Sequence, residues 1–562
     1  MDNIETEKIH WAQVVSDRWN LSGQYKILNS EFDFNFELIQ SNGRKFIVKI
    51  MRLDCEKSFL DAQVSILEFL KKDESELPIP KIIKSVSGNS YELAADLNND
   101  ERIIWVLEKI EGIMLSNVSP ISKNLMLDLG KKVASLDLAS KKFTADIDPP
   151  SNKWDLTKPL WIRDNIPEIL DPELELIINE ILDDFLNISD RLNHLPHYWI
   201  HNDLNDQNLL VGFLSNGQAF LSGILDFGDL SKSPTICNVA ICSAYLLILP
   251  GIGLNLQLEF LRGYHSINPI SEEELDILFT LIITRLAVSY VNSSIMAKDK
   301  PDDPYVIISQ RDSKNFLWHM VKGKNFFTAR FRNICDLPPV KGGSEVIEYL
   351  NQGKVGFHPI IRQPLKDAKI ISLDLESIIP IDPHSITQSE AINLTGRSEL
   401  ESQRSINLGK YLEPRLIYTA EDFRLGAGKN SDRRTIHLGI DVFAPLGTEI
   451  FTPLEGDVIH SEFCDKPLDY GGFVVIEHRT PNGISFFSLF GHLDPKSLRF
   501  KVGERLGKGD LIGKIGSASV NGGWEPHLHL QLALGLGQEN NWPGVCNPDD
   551  IKFWSQYCPN PA

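Results

Sequence analysis

The sequence is poor in cysteine and contains no CxxC pair. Seven cysteines are scattered over 562 residues, and their number is odd. Disulfide-stapled secreted domains and cysteine-rich zinc modules need dense, regularly spaced cysteines, so both classes are excluded. We therefore expect reduced thiols and a cytoplasmic location.

The sequence also lacks an excess of basic residues. Lys and Arg total 56 against 76 Asp and Glu, which gives a formal net charge of -20. Nucleic-acid binding normally needs a clustered basic face, because the phosphate backbone repels an acidic surface. We predict that nucleic acid is not a partner.

A long uninterrupted apolar run is missing as well. The most apolar stretch, "VAICSAYLLILPGIGLNL" (239–256), is broken by Pro250 and Gly251. A membrane-spanning helix needs about 20 apolar residues, so this stretch predicts a buried helix followed by a turn. The acidic N-terminus "MDNIETEKIHW" has no basic region followed by an apolar one, as a secretory signal would. We expect no membrane partner.

The pattern of apolar and turn-forming residues changes along the chain. The chain is also too long for one hydrophobic core, so several domains are expected. Short strands and a helix come first, and helical patterns dominate the region that follows. Pro-Pro and Gly-Gly in "CDLPPVKGGSE" mark a boundary, after which an irregular stretch leads into short strands separated by turns. We predict a mixed strand–helix domain over 1–335, a connector over 336–404, an all-β domain over 405–535 and a C-terminal tail over 536–562.

Two acidic motifs occur in order in the first half of the chain, "HNDLNDQNLL" and "GILDFGD". In phosphoryl transfer, one aspartate accepts or orients the attacking hydroxyl. An asparagine and a second aspartate hold the Mg²⁺ that neutralises charge on the nucleotide phosphates. Asp203, Asn208 and Asp226 occupy these three positions. A turn rich in Asn and Asp is the competing interpretation of either motif alone.

Lys49, in the β-branched run "KFIVKI", is the predicted lysine on the ATP phosphates. Its acidic partner on the following helix is predicted to be Asp61 or Glu68, with Glu56 as a third candidate. Glu108 lies where a kinase-like fold joins its two lobes, and the backbone beside it is expected to meet adenine. A solvated surface charge is the competing interpretation of these acidic side chains.

The motifs of the first half resemble the aminoglycoside phosphotransferase/choline kinase superfamily, and its hydroxylysine kinase branch in particular. The resemblance covers roughly residues 15–330 and includes the short segment "WDL". It implies a two-lobed α+β protein-kinase-like fold, with Asp203 as catalytic base and Mg²⁺ on Asn208 and Asp226. No GxGxxG is present, so residues 28–38 are expected to cover the phosphates. Asn205 and Asp229 also match the branch pattern, without an assigned role.

Histidines and leucines alternate in "PHLHLQL" (526–532) near the end of the chain. On a strand, His527 and His529 point to one face, which we expect to be exposed, while the leucines enter a core. "HLGID" adds His437 and Asp441. With His529 they form a set of two imidazoles and one carboxylate, which leaves a fourth zinc position for water, as in catalytic zinc sites.

The second half contains a third histidine motif, "FGHLDP", which supplies His492. We expect His492 and His527 to stand beside the metal as groups that move a proton or stabilise negative charge. Together these motifs resemble the lysostaphin-like (LytM-type) zinc endopeptidases over about residues 434–533. The resemblance implies an all-β zinc metallopeptidase-like domain, with Zn²⁺ on His437, Asp441 and His529 and with His492 and His527 as catalytic histidines.

The two resemblances predict a small-molecule kinase fused to a zinc peptidase or amidase. The expected kinase acceptor is a hydroxylysine-like amino alcohol, and the expected zinc substrate is a peptide or other amide. The order of modules resembles the front of fusions that continue into a pyridoxal-phosphate class III aminotransferase, which we expect as a C-terminal or separate partner. Three alternatives stay open: a zinc peptidase with a regulatory or inactive kinase-like domain, an aminoglycoside phosphotransferase, and a pair of binding modules.

Overall fold

An antiparallel sheet of six strands opens the computed structural model, in the order β1-β2-β3-β6-β4 with β5 also paired to β6. Its strands are β1 (Gln24–Leu28), β2 (Phe34–Ile39), β3 (Lys45–Ile50), β4 (Ile82–Ile83), β5 (Tyr91–Ala95) and β6 (Glu101–Glu108). Phe46, Val48 and Ile50 alternate along β3 and pack with Trp11 and Val15 of the first helix. This alternation explains why "KFIVKI" forms a strand with Lys49 on the opposite face.

Helices dominate the rest of the first 324 residues. They are α1 (Asp2–Trp19), α2 (Lys57–Asp73), α3 (Lys123–Ser140), α4 (Pro172–His194), α5 (Ile236–Ile248), α6 (Gly253–Ile267), α7 (Glu272–Asp299) and α8 (Gln310–Met320). The predicted buried helix within 239–256 is confirmed, because α5 is almost wholly buried and a turn at Pro250 and Gly251 follows it.

Two small antiparallel sheets carry the acidic motifs. Their strands are β7 (Ile113–Met114), β8 (Tyr198–Ile200), β9 (Leu209–Phe213), β10 (Ala219–Ile224) and β11 (Ser231–Ser233). The order is β10-β9-β7 in one sheet and β11-β8 in the other. The "HNDLNDQN" loop joins β8 to β9 and the "DFGD" turn follows β10, so pairing of β9 with β10 holds the two motifs together.

The second half of the chain is built on a sheet of eight strands, in the order β12-β13-β15-β22-β19-β18-β17-β20. Its strands are β12 (Lys369–Ile371), β13 (Asn407–Gly409), β15 (Ile440–Phe443), β17 (Gly456–Cys464), β18 (Gly471–Arg479), β19 (Ser485–Leu493), β20 (Arg505–Leu506) and β22 (His527–Ala533). Two short pairs complete it: β14 (Ile436–His437) with β23 (Val545–Cys546), and β16 (Glu449–Phe451) with β21 (Leu511–Lys514).

The described residues of this half of the chain also form three helices. They are α9 (Lys324–Ile334), α10 (Gly343–Asn351) and α11 (Ile551–Tyr557). Val346 of α10 packs on Phe486 and Leu534, and Phe553 and Tyr557 of α11 lie in the core beneath the sheet.

The chain divides into two compact units, residues 1–324 and 325–562. The division falls ahead of the predicted boundary at residue 335. α10 lies within the predicted connector and α11 within the predicted tail, and both pack into the core of the second unit. Both segments therefore contribute to a folded core.

The structure describes residues 2–28, 33–73, 76–145, 152–168, 171–299, 310–320, 323–353, 355–373, 406–415, 418, 420–425, 432–537 and 542–562. Part of the predicted phosphate loop (28–38) and much of the connector lie outside this set. Among the described residues, none of the helices combines the length and apolar character that a membrane crossing requires.

Candidate active sites

Asp203 lies in the loop between β8 and β9 and is held by three side chains. Its Oδ1 accepts a hydrogen bond from Arg285 Nη2 at 3.0 Å. Its Oδ2 accepts from Asn205 Nδ2 at 3.0 Å and from Asn208 Nδ2 at 2.7 Å. A carboxylate oxygen accepts two hydrogen bonds, so Oδ1 has capacity for one more donor. Burial raises the pKa of Asp203, and the Arg285 guanidinium opposes that rise.

The backbone of this loop is fixed from beneath. Asn202 has a φ of 64°, a left-handed conformation in which Asn is enriched. Its N–H donates to Asn238 Oδ1 at 2.9 Å, and Asn238 Nδ2 in turn donates to Asp137 Oδ1 at 2.6 Å. Tyr264 OH also donates to Asp137, at Oδ2, at 2.7 Å. A buried polar network thus connects α3 to the residue before Asp203.

Asn208 is oriented by its own loop. Its Nδ2 donates to the Asp203 carboxylate and, at 3.0 Å, to the Asp203 backbone carbonyl. With the nitrogen engaged in this way, the amide oxygen is the atom that Asn208 can offer to a cation. Hard oxygen ligands of this kind suit Mg²⁺, so the residue fits its predicted role.

Asp226 follows β10 in a left-handed conformation, with a φ of 56°. Its Oδ1 lies 3.6 Å from Lys49 Nζ and accepts a hydrogen bond from Gly228 N at 3.2 Å. The positive charge of Lys49 lowers the pKa of Asp226. The structure therefore brings together the predicted lysine of β3 and the predicted metal-binding aspartate.

The predicted partners of Lys49 are engaged elsewhere. Asp61 Oδ1 accepts a hydrogen bond from Tyr91 OH at 2.7 Å. Glu68 pairs with Lys84 and accepts a hydrogen bond from Ser90. Within the described part of the chain, the ion pair of Lys49 is with Asp226. A pairing with Glu68 is wrong in this structure, because Glu68 is neutralised by a lysine from the loop after β4.

Glu108 ends β6 at the expected junction. Its backbone N–H donates to the Lys81 carbonyl at 2.8 Å, and its half-exposed side chain lies 4.0 Å from Arg44. The adenine contact of the neighbouring backbone stays a prediction.

Arg285 of α7 is a site residue that the motifs did not indicate. Its side chain is 1% exposed. Besides the bond to Asp203, Nη1 donates to the Trp154 carbonyl at 3.2 Å, and the guanidinium lies 4.7 Å from the Trp154 ring centroid. A buried arginine between an aromatic ring and a carboxylate is a fixed positive charge. This contact also gives the "WDL" segment a place at the site.

Asp229 and His201 complete the surroundings of the acidic pair. Asn152 Nδ2 donates to Asp229 Oδ1 at 3.0 Å, and burial, reinforced by the negative charges of Asp203 and Asp226, raises the pKa of Asp229 to about 6. His201 Nδ1 accepts from the Asp203 N–H at 3.2 Å, so its proton is on Nε2, which donates to the Leu225 carbonyl at 2.8 Å. His201 is therefore neutral and structural.

The second site lies where β14, β15 and β22 meet. His437 Nε2, Asp441 Oδ1 and His529 Nδ1 are the facing atoms, and Asp441 is directly opposite His529 in the strand register. His437 Nε2 lies 3.1 Å from His529 Nδ1 and 3.2 Å from Asp441 Oδ1, and Asp441 Oδ1 lies 3.1 Å from His529 Nδ1. These three buried donors form a group that fits a metal ion, and they are the three predicted ligands.

Gly439 allows this close approach. A Cβ at that position would lie 2.6 Å from the Leu530 carbonyl oxygen and 2.7 Å from His529 Cε1. No side chain fits there, which explains the glycine in "HLGID".

Each predicted ligand is held by a further group on the side away from the point where the three ligand atoms converge. His437 Nδ1 donates to the Lys410 carbonyl at 3.0 Å, and His529 Nε2 donates to Gln531 Oε1 at 3.0 Å. Asp441 Oδ2 accepts from Arg415 Nη1 at 2.7 Å. Such outer contacts fix the ring tautomers and orient the metal-facing atoms. Sequence reasoning missed Arg415 and Gln531.

His492 and His527 flank the ligand set. Their ring centroids are 4.3 Å apart, and their Nδ1 atoms bond to the carbonyls of Asn521 at 2.9 Å and Glu525 at 2.7 Å. His527 Nε2 lies 3.7 Å from Asp441 Oδ1. The expectation of an exposed histidine face is wrong: His527 and His529 are 5% and 3% exposed, because neighbouring elements cover that face of β22 as well.

Burial also influences the protonation of the residues at this second site. It lowers the pKa of His437 to about 4 and lowers those of His492 and His527. Burial alone would raise the pKa of Asp441, but the neighbouring histidines and Arg415 hold it well below its usual range. Neutral imidazoles and an ionised carboxylate are the forms that bind a metal.

Comparison with known proteins gives two family matches. Residues 24–275 match the phosphotransferase enzyme family, and residues 435–541 match peptidase family M23. The chain therefore carries a kinase-like phosphotransferase domain followed by an M23 peptidase domain, as both resemblances predicted. The order with an aminotransferase stays a prediction.

Curated relatives match each half separately. A hydroxylysine kinase of Danio rerio is 24% identical over 312 residues, 52% of this chain and 86% of that protein. A hydroxylysine kinase of Xenopus laevis is 26% identical over 288 residues, 48% of this chain and 75% of that protein. A protein of Buchnera aphidicola described as an uncharacterized metalloprotease is 30% identical over 116 residues, 21% of this chain and 26% of that protein.

Proposed function

We propose that the N-terminal unit transfers the γ-phosphate of ATP to the hydroxyl of a small amino-bearing metabolite of the hydroxylysine type. The observation that carries this proposal is the arrangement of Asp203, with Oδ2 bonded to Asn205 and Asn208 and Oδ1 facing Arg285. The names of the curated relatives support the choice of acceptor.

The chemistry follows from these contacts. The acceptor hydroxyl donates to Asp203 Oδ1, which among the described contacts accepts a hydrogen bond from Arg285 alone. Asp203 takes the proton as the hydroxyl oxygen attacks the γ-phosphorus, the bond from that phosphorus to the bridging oxygen breaks, and ADP leaves. Lys49 binds phosphate oxygens. Asn208 and Asp226 are the residues that would hold Mg²⁺, which supplies positive charge against the phosphate oxygens. Arg285 opposes the rise that burial causes in the pKa of Asp203 and holds its carboxylate in place.

The test is ATP consumption by the full chain against hydroxylysine, ethanolamine, choline, homoserine and an aminoglycoside. Turnover with one amino alcohol is the expected result, and Asp203→Asn should lower it about 10²- to 10⁴-fold, the usual contribution of a general base. Asp190→Asn, at an exposed aspartate of α4, is the matched control and should keep wild-type turnover. Turnover with the aminoglycoside alone would favour the antibiotic-modifying alternative, and wild-type turnover in Asp203→Asn contradicts the proposal.

We propose a second activity, hydrolysis of a peptide or other amide bond, for the C-terminal unit. The buried set His437, Asp441 and His529 supports it, since these residues would hold Zn²⁺ and leave a position for water. Bound Zn²⁺ supplies an activated water at neutral pH. His527 Nε2 lies 3.7 Å from Asp441 Oδ1, and the His492 ring lies beside that of His527, with 4.3 Å between the centroids. Both would hold or move a proton for that water.

The hydrolase test uses Gly-rich and D-amino-acid peptides together with amide conjugates of any amino alcohol found in the kinase test. Hydrolysis should stop with a chelator, return with Zn²⁺ and fail in His529→Ala. His460→Ala is the control, because His460 lies on β17, which pairs with β18 and β20 rather than with β15 or β22, and bonds to Glu462 of the same strand. Hydrolysis that persists in the chelator and in His529→Ala contradicts the zinc assignment.

A further inference from the structure

Arg415 is a buried arginine beside the predicted zinc ligands, and its side chain is 3% exposed. Its Nη1 donates to Asp441 Oδ2 at 2.7 Å and to Tyr418 OH at 2.8 Å, and its Nε donates to Glu413 Oε2 at 3.1 Å. The guanidinium lies between the buried carboxylates of Asp441 and Glu413, where burial keeps water from taking over its hydrogen bonds. The guanidinium is therefore a fixed part of the site.

The two oxygens of Asp441 face different partners. Oδ1 lies 3.2 Å from His437 Nε2 and 3.1 Å from His529 Nδ1, on the side where the metal-binding atoms converge. Oδ2 points away from that side, to Arg415. Asp441 thus directs Oδ1 to the two histidines and Oδ2 to the Arg415 guanidinium.

We propose that Arg415 is a positioning residue that limits Asp441 to one metal-binding oxygen, an inference that rests on the proposed zinc site. A positive charge at hydrogen-bond distance from Oδ2 repels a second cation from that oxygen. The charge-assisted bond also fixes the rotation of the carboxylate. If Asp441 offered both oxygens, the second would take the position that a catalytic zinc site keeps for water.

Glu413 holds Arg415 in this position. Glu413 is itself buried, and its Oε1 accepts from the Leu373 N–H at 3.0 Å and lies 3.5 Å from Lys410 Nζ. Since Lys410 also supplies the carbonyl that bonds to His437, one short stretch, residues 410–415, orients two of the three ligands. That stretch precedes the M23 match, which begins at residue 435. The zinc site therefore depends on residues outside the family match.

The experiment replaces the metal of the full chain with Co²⁺ and records its visible absorption, which weakens as the coordination number rises. In Arg415→Met, we expect the absorption per bound Co²⁺ to fall severalfold, because Oδ2 becomes available. Arg415→Lys keeps a positive charge at Oδ2 and should retain most of the wild-type absorption. Arg479→Met, at an exposed arginine of β18 paired with Glu477, is the control and should match the wild type.

Two milder variants cover the case in which Arg415→Met does not fold, as judged by circular dichroism. Tyr418→Phe removes one acceptor from Arg415, and Glu413→Gln removes the charge that anchors it, so both should weaken the Co²⁺ absorption in the same direction. Wild-type absorption in every folded variant overturns the role of Arg415 and leaves the zinc site standing. A wild-type chain that binds neither Zn²⁺ nor Co²⁺ overturns the zinc site and this inference together.

Discussion

Arg285 Nη2 donates a hydrogen bond to Asp203 Oδ1 at 3.0 Å, so a residue in the middle of α7 fixes the proposed catalytic base of the β8–β9 loop. The Arg285 guanidinium also lies over Trp154, which prevents it from turning away.

The first prediction concerns this pair. Arg285→Met should lower kcat of the kinase reaction about 100-fold, because a misplaced base loses the geometry of proton transfer. The KM for ATP should change little, since the described hydrogen bonds of Arg285 go to Asp203, the Trp154 carbonyl and Tyr245 rather than to Lys49 or Asp226. Steady-state kinetics with ATP and the best acceptor measure both constants.

Chemical rescue distinguishes a positioning role of Arg285 from a purely structural one. If Arg285 positions Asp203, added guanidinium or methylguanidinium should restore part of kcat in Arg285→Gly, because it fills the vacated space with the same cation. If guanidinium has no effect on a folded Arg285→Gly protein and Arg285→Met keeps wild-type kcat, the positioning role is wrong.

The second prediction compares two lysines of the same strand. Lys49 pairs with Asp226 at 3.6 Å, whereas Lys45 pairs with Glu111 at 2.9 Å. Lys49→Met should raise the KM for ATP about 10- to 100-fold, the cost of losing a hydrogen bond to a charged phosphate. Lys45→Met should leave it near the wild-type value. Similar KM values for the two variants would contradict the assignment of Lys49.

The third prediction is a pH dependence of stability in the first unit. Burial raises the pKa of Asp137 to about 7, while an aspartate in an unfolded chain titrates near 3.9. Between these values unfolding releases a proton, so the free energy of unfolding falls as the pH rises, by about 4 kcal/mol in all, and levels off above about pH 7. Hydrogen exchange of peptides from Lys123–Ser140 in urea, at pH 5 and pH 8, measures the part of this loss that occurs above pH 5, about 3 kcal/mol.

Asp137→Asn cannot ionise and should show a much smaller difference between the two pH values. Asp190→Asn, at an exposed position, should keep the wild-type difference. An unchanged difference in Asp137→Asn would assign the pH dependence to another group.

The fourth prediction concerns Gln531. Its Oε1 accepts the hydrogen bond of His529 Nε2, and its Nε2 donates to the thiol sulfur of Cys558 at 3.3 Å. Gln531→Leu should weaken Zn²⁺ binding about 10- to 100-fold, the usual cost of losing an outer partner of a histidine ligand. Gln531→Glu keeps an acceptor for the histidine and should bind more tightly than Gln531→Leu. Competition with a chelator measures both affinities, and equal values contradict the prediction.

Local motifs predicted the three facing side chains of the second candidate site, and they predicted part of the first. His437, Asp441 and His529 come together as predicted. Asp441 comes four residues after His437, and the pairing of β15 with β22 places His529 directly opposite Asp441. Asp203 and Asn208 also lie in one loop, where five residues of spacing suffice to make them touch.

Long-range partners could not be predicted in the same way. Arg285 reaches Asp203 through the packing of α7, and no periodicity in α7 distinguishes this arginine from a surface one. The sequence predicts the partner of Lys49 on the next helix. The ion pair instead forms with Asp226, in the turn that follows β10. The exposed face expected for β22 is covered by chain segments whose positions depend on the whole sheet.

The packing of α11 has a consequence for biosynthesis. Phe553 and Tyr557 belong to the core beneath the zinc-site strands, and Cys558 contacts the residue that orients His529. The kinase residues, from Lys49 to Arg285, all leave the ribosome long before these do. Because domains fold as units during translation, a nascent chain acquires its phosphotransferase site first. The proposed hydrolytic site is completed only after residue 558 has emerged, so a stalled or prematurely released chain would carry the proposed kinase activity without the proposed hydrolase.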